Sequence, residues 1–370
     1  MISKPVIQAL MFSAPAICAL VCMITLLLDV PFGKKQQERQ LRLLLLFICA
    51  LDALCWTGLV FQVINQALFT CYHTLFLFTL MISQVLIYRF VYIITTVEQY
   101  DFFNRLHFAP PAIITVISAV SSLCVPFEVQ QSAIYGTSSE YHWFSTLYMA
   151  TGIVFIIYNT LYPVLGLVRM YHYKRNIVDY SADRQRTSLD WLIIMQVLSL
   201  ICIPVPLTGV LLNMDVFNNF WSSMQGVLPT FFICPILCYN LLLGNYVIVA
   251  TNDDKSQPEK YVAINPKRFV RYLQDKKPYL NPKLRITDVA FALNTNRGYV
   301  SAFINKEYGM NFSRFINRCR LDELDRLRQL PQSKSSTNID LVLSAGFSGY
   351  RSYLRVKKEE DKERALKVFG

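Results

Sequence analysis

Charge is scarce in this chain. Asp, Glu, Lys and Arg make up 16% of its 370 residues, against about a quarter in an ordinary soluble domain, while 54% are hydrophobic. Recognisable reaction chemistry is missing too. No HExxH, GxSxG or GxxxxGK[ST] occurs, so the matching zinc-peptidase, serine-hydrolase and phosphate-cradling sites have no footing. The four histidines, His73, His107, His142 and His172, are scattered. Ten cysteines are present, but none sits in a secreted-type disulfide framework, so they read as small apolar packing residues. Cys18/Cys22 and Cys234/Cys238 are each four apart and share helix faces, yet no His or further Cys pair lies nearby in sequence to complete four ligands. No metal site and no cofactor are expected.

The charge that exists is unevenly placed. Residues 1–250 carry 12 Lys/Arg against 11 Asp/Glu, whereas residues 251–370 carry 24 against 14. A basic block of that size suits an anionic partner, either nucleic acid or a lipid surface.

The first 250 residues contain seven apolar stretches long enough to cross a bilayer, at about 5–28, 43–65, 68–94, 109–127, 144–169, 191–213 and 225–250. The second, fourth and sixth connections contain no Lys or Arg, only Glu128, Glu140 and Asp215. The first has Lys34, Lys35, Arg39 and Arg42, the third Arg105, and the fifth Lys174, Arg175, Arg184 and Arg186. The alternation predicts an outside N-terminus and a cytoplasmic C-terminal block. The leader holds only Lys4 and the first apolar run is long, so a retained span is expected there rather than a cleaved signal peptide. Asp52 and His73 fall inside spans and are the intramembrane polar candidates for sensing; a single interhelical hydrogen bond is the plain alternative. Pro204, Pro206, Pro229 and Pro235 are expected to kink the last two helices.

Residues 251–261, TNDDKSQPEKY, read as a linker. Beyond it, Ile286, Val289, Ala290 and Leu293 recur at helical spacing, with Thr287 and Asp288 placed to start the helix. Asn294-Thr295-Asn296 breaks it. Asn296 suits the N-cap of a second helix, 297–307, whose apolar side is Val300, Phe303 and Ile304 and which Gly309 ends. Two short helices on a polar three-residue turn form a helix-turn-helix, whose second helix enters the DNA major groove.

The run GMNFSRFINRCRL that follows, 309–321, resembles the first-motif exit of AraC/XylS-type DNA-binding domains, G-x-x-F-x-x-[YF]-[LI]-N-x-x-R-[LI]. Gly309, Phe312, Phe315, Ile316, Asn317, Arg320 and Leu321 match it position by position. Ile339, Val342 and Leu343 then lead into Ala345-Gly346-Phe347-Ser348, similar to the Gly-Phe turn of that family's second motif. The likeness covers about 262–358, and the layout resembles membrane-bound AraC-type regulators of Bacteroides-like bacteria. It implies an all-α chain: a seven-helix transmembrane bundle, 1–250, in the bacterial cytoplasmic membrane, then a cytoplasmic domain, 262–370, with two helix-turn-helix motifs.

The resemblance implies base-facing positions at Gly298, Ser301, Ala302 and Asn305, flanked by Arg297 and Lys306 on phosphate. On the second recognition helix it implies Tyr350, Arg351 and Arg355 as base readers, with Lys357, Lys358 and Lys362 on phosphate. Lys357 replaces the usual anchoring aromatic, leaving Tyr353 and Val356 to bury there. EEDKERALKVFG continues as charged helix where a Gly-x-x-Pro exit is usual. The partners implied are double-stranded DNA, membrane lipid and the transcription machinery; a homodimer is compatible but not required. The competing reading is a transporter or membrane enzyme with a cytoplasmic interaction domain, in which Asp52 would be central. A third has the basic block on anionic lipid headgroups, which leaves the matched turns unexplained.

Overall fold

The structure is a computed structural model that describes residues 4–29, 36–96, 103–135, 141–177, 188–201, 220–246, 264–330 and 337–368. Among the described residues the regular structure is helical, with no strand. The chain divides into two compact units, one drawn from residues ahead of Asn245 and the other consisting mainly of Asn245–Gly370. The expected linker, 251–261, lies outside the described residues.

The first unit contains α1 (Lys4–Asp29), α2 (Gln36–Ile64), α3 (Gln66–Thr95), α4 (Ala109–Leu123), α5 (Phe127–Ile134), α6 (His142–Ile177) as far as Met170, α7 (Asp190–Ile201) and α8 (Phe220–Leu242). Among the described residues, five helices are long and apolar enough to cross a membrane: Pro5–Asp29, Glu38–Ile64, Gln66–Thr95, Arg105–Leu123 and His142–Arg175. Their outward faces carry large apolar side chains such as Leu10, Ile17, Val21 and Leu28. A helix apolar on every side suits lipid rather than water. The inner faces of α1, α2 and α8 meet through Phe12, Ala16, Trp56 and Val227. Gln84 Nε2 donates to Asn159 Oδ1 at 2.9 Å, joining α3 to α6.

The expected span boundaries shift in places. The fourth, expected over 109–127, stops at Leu123, because Pro126 disfavours helix at the residue before it. Only Asp190–Ile201 of the sixth is described; Pro204 and Pro206 lie outside the described residues. The stretch expected as the seventh, 225–250, is covered by the helix α8 as far as Leu242, with Pro229 and Pro235 inside it; among the described residues its apolar part is the shorter helix Phe231–Leu242.

In the second unit, α9 (Pro266–Lys276) is capped by Asn265 and ends at Lys277, which takes a left-handed φ of 42°. A 3-10 turn, Pro278–Leu280, follows. Then come α10 (Ile286–Ala292), α11 (Arg297–Tyr308), α12 (Phe312–Gln329), α13 (Asn338–Ser344) and α14 (Tyr350–Val368). Helix α12 serves two cores. Its first half buries Phe312, Phe315 and Ile316, with Phe315 stacked on Tyr308 and Phe269 at centroid distances of 4.5 and 5.7 Å. Its second half packs Leu321, Leu324 and Leu327 onto Val342, Ala345, Phe347, Tyr353 and Val356.

Candidate nucleic-acid interface

The pairs α10–α11 and α13–α14 are built on the same backbone pattern, 52 residues apart. Asp288 accepts from the Arg285 backbone N–H at 2.8 Å, and Asp340 from that of Thr337 at 3.2 Å. The first helix of each pair then ends on a left-handed residue, Asn294 at φ 58° and Gly346 at φ 92°. The next N–H reaches back five residues: Thr295 to the Ala290 carbonyl at 2.9 Å, Phe347 to the Val342 carbonyl at 3.3 Å. This is the six-to-one closure of a Schellman turn. Buried positions also correspond, Ala290, Leu293, Thr295, Val300 and Ile304 with Val342, Ala345, Phe347, Ser352 and Val356.

Local chemistry accounts for each joint. The Asn296 side chain accepts from the Tyr299 N–H at 2.9 Å and so starts α11. Gly309, at φ 64°, closes it. Of the two residues expected to start α10, Asp288 caps it, whereas Thr287 Oγ1 is buried with no hydrogen bond among the described residues. Tyr353 and Val356 are both buried, and α14 continues to Val368 as charged helix.

The two pairs are tied together beneath by the Pro278–Leu280 turn. Arg320, 2% exposed, donates from Nε to the Tyr279 carbonyl at 2.8 Å and from Nη2 to the Asn281 carbonyl at 2.9 Å. Its Nη1 donates to Asn317 Oδ1 at 3.1 Å. Asn317 and Arg320 therefore serve the scaffold. Beside them Glu323 receives Arg326 at 2.7 Å and Lys277 at 3.2 Å, and these two cations hold its carboxyl below the usual carboxylate range. Burial pushes the Cys319 thiol up to about 12, so it behaves as a small packing group.

On α11, Arg297, Asn305 and Lys306 are exposed and Ser301 is partly so. On α14, Tyr350, Arg351, Lys357, Lys358 and Lys362 are exposed, and Arg355 is partly buried with its Nε unpaired among the described residues. Helical register separates these groups, since each residue turns the helix about 100°. Shifted by 52, Gly298, Ser301, Ala302 and Asn305 correspond to Tyr350, Tyr353, Leu354 and Lys357. Arg351 and Arg355 correspond instead to the exposed Tyr299 and to Phe303, which packs on Phe269 at a centroid distance of 5.0 Å. The turn residues alone do not disclose this, because it follows from which side of α14 is buried.

The two intramembrane candidates do not share a partner among the described residues. Asp52 on α2 accepts from Cys234 Sγ at 3.3 Å and from the Trp56 indole. His73 is buried between Phe69 and Tyr148, at centroid distances of 5.9 and 5.0 Å. Helices α1 and α8, which carry the two cysteine pairs, pack on each other, and Cys18 Sγ donates to the Phe231 carbonyl at 3.9 Å. No group of His, Cys, Asp and Glu among the described residues is arranged to hold a metal ion.

Neither family models, nor curated proteins, nor solved structures give a match to this chain.

Proposed function

We propose that the chain is a membrane-embedded, sequence-specific DNA-binding regulator of transcription. Seven spans anchor it and receive a signal, and a cytoplasmic AraC-type domain reads DNA. One observation carries the reading: two helix-turn-helix units of the same backbone pattern, repeated at 52 residues, each present a cation-bearing second helix outward. That fits insertion of α11 and α14 into successive major-groove faces. The net positive charge of residues 251–370 supplies phosphate affinity, which makes binding salt dependent. The loop charges favour a cytoplasmic second unit.

The register of α14 refines which side chains read bases. Tyr350 and Lys357 on α14 take the places of Gly298 and Asn305 on α11; together with Ser301 they make the base-facing set, the α14 counterpart of Ser301 being the buried Tyr353. Asn305 suits adenine and Lys357 suits guanine O6 and N7. Arg351 and Arg355 then fall to the phosphate side with Arg297, Lys306 and Lys358.

The test is a genome-wide pull-down of DNA with tagged full-length protein, beside Lys357→Ala and Arg351→Ala variants. A small set of sites sharing one motif, with the preference altered by Lys357→Ala, supports the reading. Salt-sensitive recovery of DNA without a shared motif contradicts it and leaves only a polyanion-binding surface.

A further inference from the structure

Helix α9 follows α8 in the described chain, with the 23 residues 243–265 between them. Its two sides differ. Phe269 is 1% exposed and packs on Phe303, Phe315 and Tyr308 at centroid distances of 5.0, 5.7 and 6.2 Å. The other side carries Lys267, Arg268 and Arg271, all exposed. At about 100° of rotation per residue, these cations fall within an arc of about 100° whose centre lies about 150° from Phe269. Asp275 shares that side, so the face has three positive charges and one negative. Val270, 39% exposed, and Gln274 complete an open hollow with Lys267 and Arg271.

Among the described residues none of these three cationic side chains takes part in an ion pair or a hydrogen bond. Lys277, Arg285, Arg320 and Arg326 of the same unit are all engaged. A cationic face without partners of its own suits an external anion. Its direction disfavours duplex DNA. Phe303, which receives Phe269, lies about 150° around α11 from the centre of Gly298, Ser301, Ala302 and Asn305. The α9 cations therefore point away from the side of α11 proposed to read bases. Tethering to a membrane-spanning unit keeps a lipid surface at high effective concentration around α9.

We propose that the Lys267/Arg268/Arg271 face of α9 docks on anionic lipid headgroups. Headgroup phosphates meet the three cations, and Val270 lies against the lipid interface. In the cell that surface is the cytoplasmic leaflet, on the orientation proposed above. Each basic side chain held near such a surface strengthens docking about fivefold. The base-facing side of α11 is then left to the aqueous phase, so lipid and DNA engage different helices of one unit.

The experiment uses full-length protein in nanodiscs of phosphatidylcholine, with or without phosphatidylglycerol, so both leaflets match and orientation is immaterial. A benzophenone amino acid replaces the exposed Val270 in one sample and the exposed Asn305 in another. After irradiation, lipid adducts are measured by mass spectrometry. Adducts at position 270 that need phosphatidylglycerol, with none at 305, are the expected result. Arg271→Ala should lower the ratio of docked to undocked protein about fivefold, and Lys267→Glu/Arg268→Glu/Arg271→Glu should abolish the adduct. No adduct at 270, equal adducts in phosphatidylcholine alone, or an adduct unaffected by the charge substitutions would each overturn the proposal. Equal lipid adducts at 305 would overturn it too, since the whole basic block would then lie on lipid. A final sample adds duplex DNA; cross-linking of position 270 to DNA would make the α9 face a DNA contact instead. The lipid samples contain no DNA, so failure of the DNA-binding reading leaves their outcome untouched.

Discussion

The backbone carbonyl of Tyr279 stands where a β-carbon on Gly346 would be. A β-carbon there would run into that oxygen and into the Leu280 backbone. Gly346 is thus required twice, by its φ of 92° and by this close approach. Gly346→Ala should destabilise the second unit by about 3 kcal/mol or more. Gly309 is a fair control: its φ is 64°, but a β-carbon there meets open space. Gly309→Ala should cost only about 1–2 kcal/mol, the left-handed penalty alone. Hydrogen exchange of the full-length protein over 264–330 and 337–368 distinguishes the two.

Arg320 grips the same turn from the other side through the carbonyls of Tyr279 and Asn281. Arg320→Ala strands both buried carbonyls and should cost about 3–5 kcal/mol. Arg320→Lys should recover only part of that, since one ammonium cannot reproduce a planar fork aimed at two acceptors. Opening free energies of the amides of α12 check both.

These two positions show what was legible beforehand. The helix-turn-helix punctuation was readable because Asn296, Gly309 and Gly346 are residues that caps and left-handed turns demand. The long apolar helices were readable because composition alone distinguishes a lipid-facing helix. The scaffold role of Arg320 was hidden, since an arginine in a basic block looks like every other cation until its burial is known. The 52-residue repeat was hidden as well. Between 285–304 and 337–356 only Asp288 and Asp340 coincide in identity, because the pattern is kept by burial and backbone closure rather than by residue type. The contact of Cys18 with the Phe231 carbonyl needed the packing of α1 against α8, which no local spacing encodes.

Glu323 gives the second unit a pH dependence. Hydrogen bonds from Arg326 and Lys277 depress its carboxyl below the usual 4.5. A carboxyl depressed on folding contributes stability that is full above its unfolded value and is lost as pH falls through the folded value. Unfolding followed from neutral pH downward should therefore show stability declining below about 4.5, where the unfolded group begins to bind its proton. Glu323→Gln should be less stable at neutral pH and should flatten that decline.

The two flanks of α14 should separate in DNA binding. Lys357→Ala should cost about 1–3 kcal/mol on the preferred sequence and relax the preference at one base pair. Arg351→Ala should weaken all sequences alike and lower the salt slope by about 1. Competition binding over a range of salt concentrations reads both effects.

The most direct measurement is a footprint of the full-length protein, in micelles, on a site recovered from the pull-down. The account predicts sequence-specific protection of two major-groove patches about one helical turn apart, roughly 10–10.5 base pairs, with the patch under α14 lost in Lys357→Ala/Arg351→Ala. Protection that spreads evenly along any duplex and is indifferent to both substitutions would contradict it.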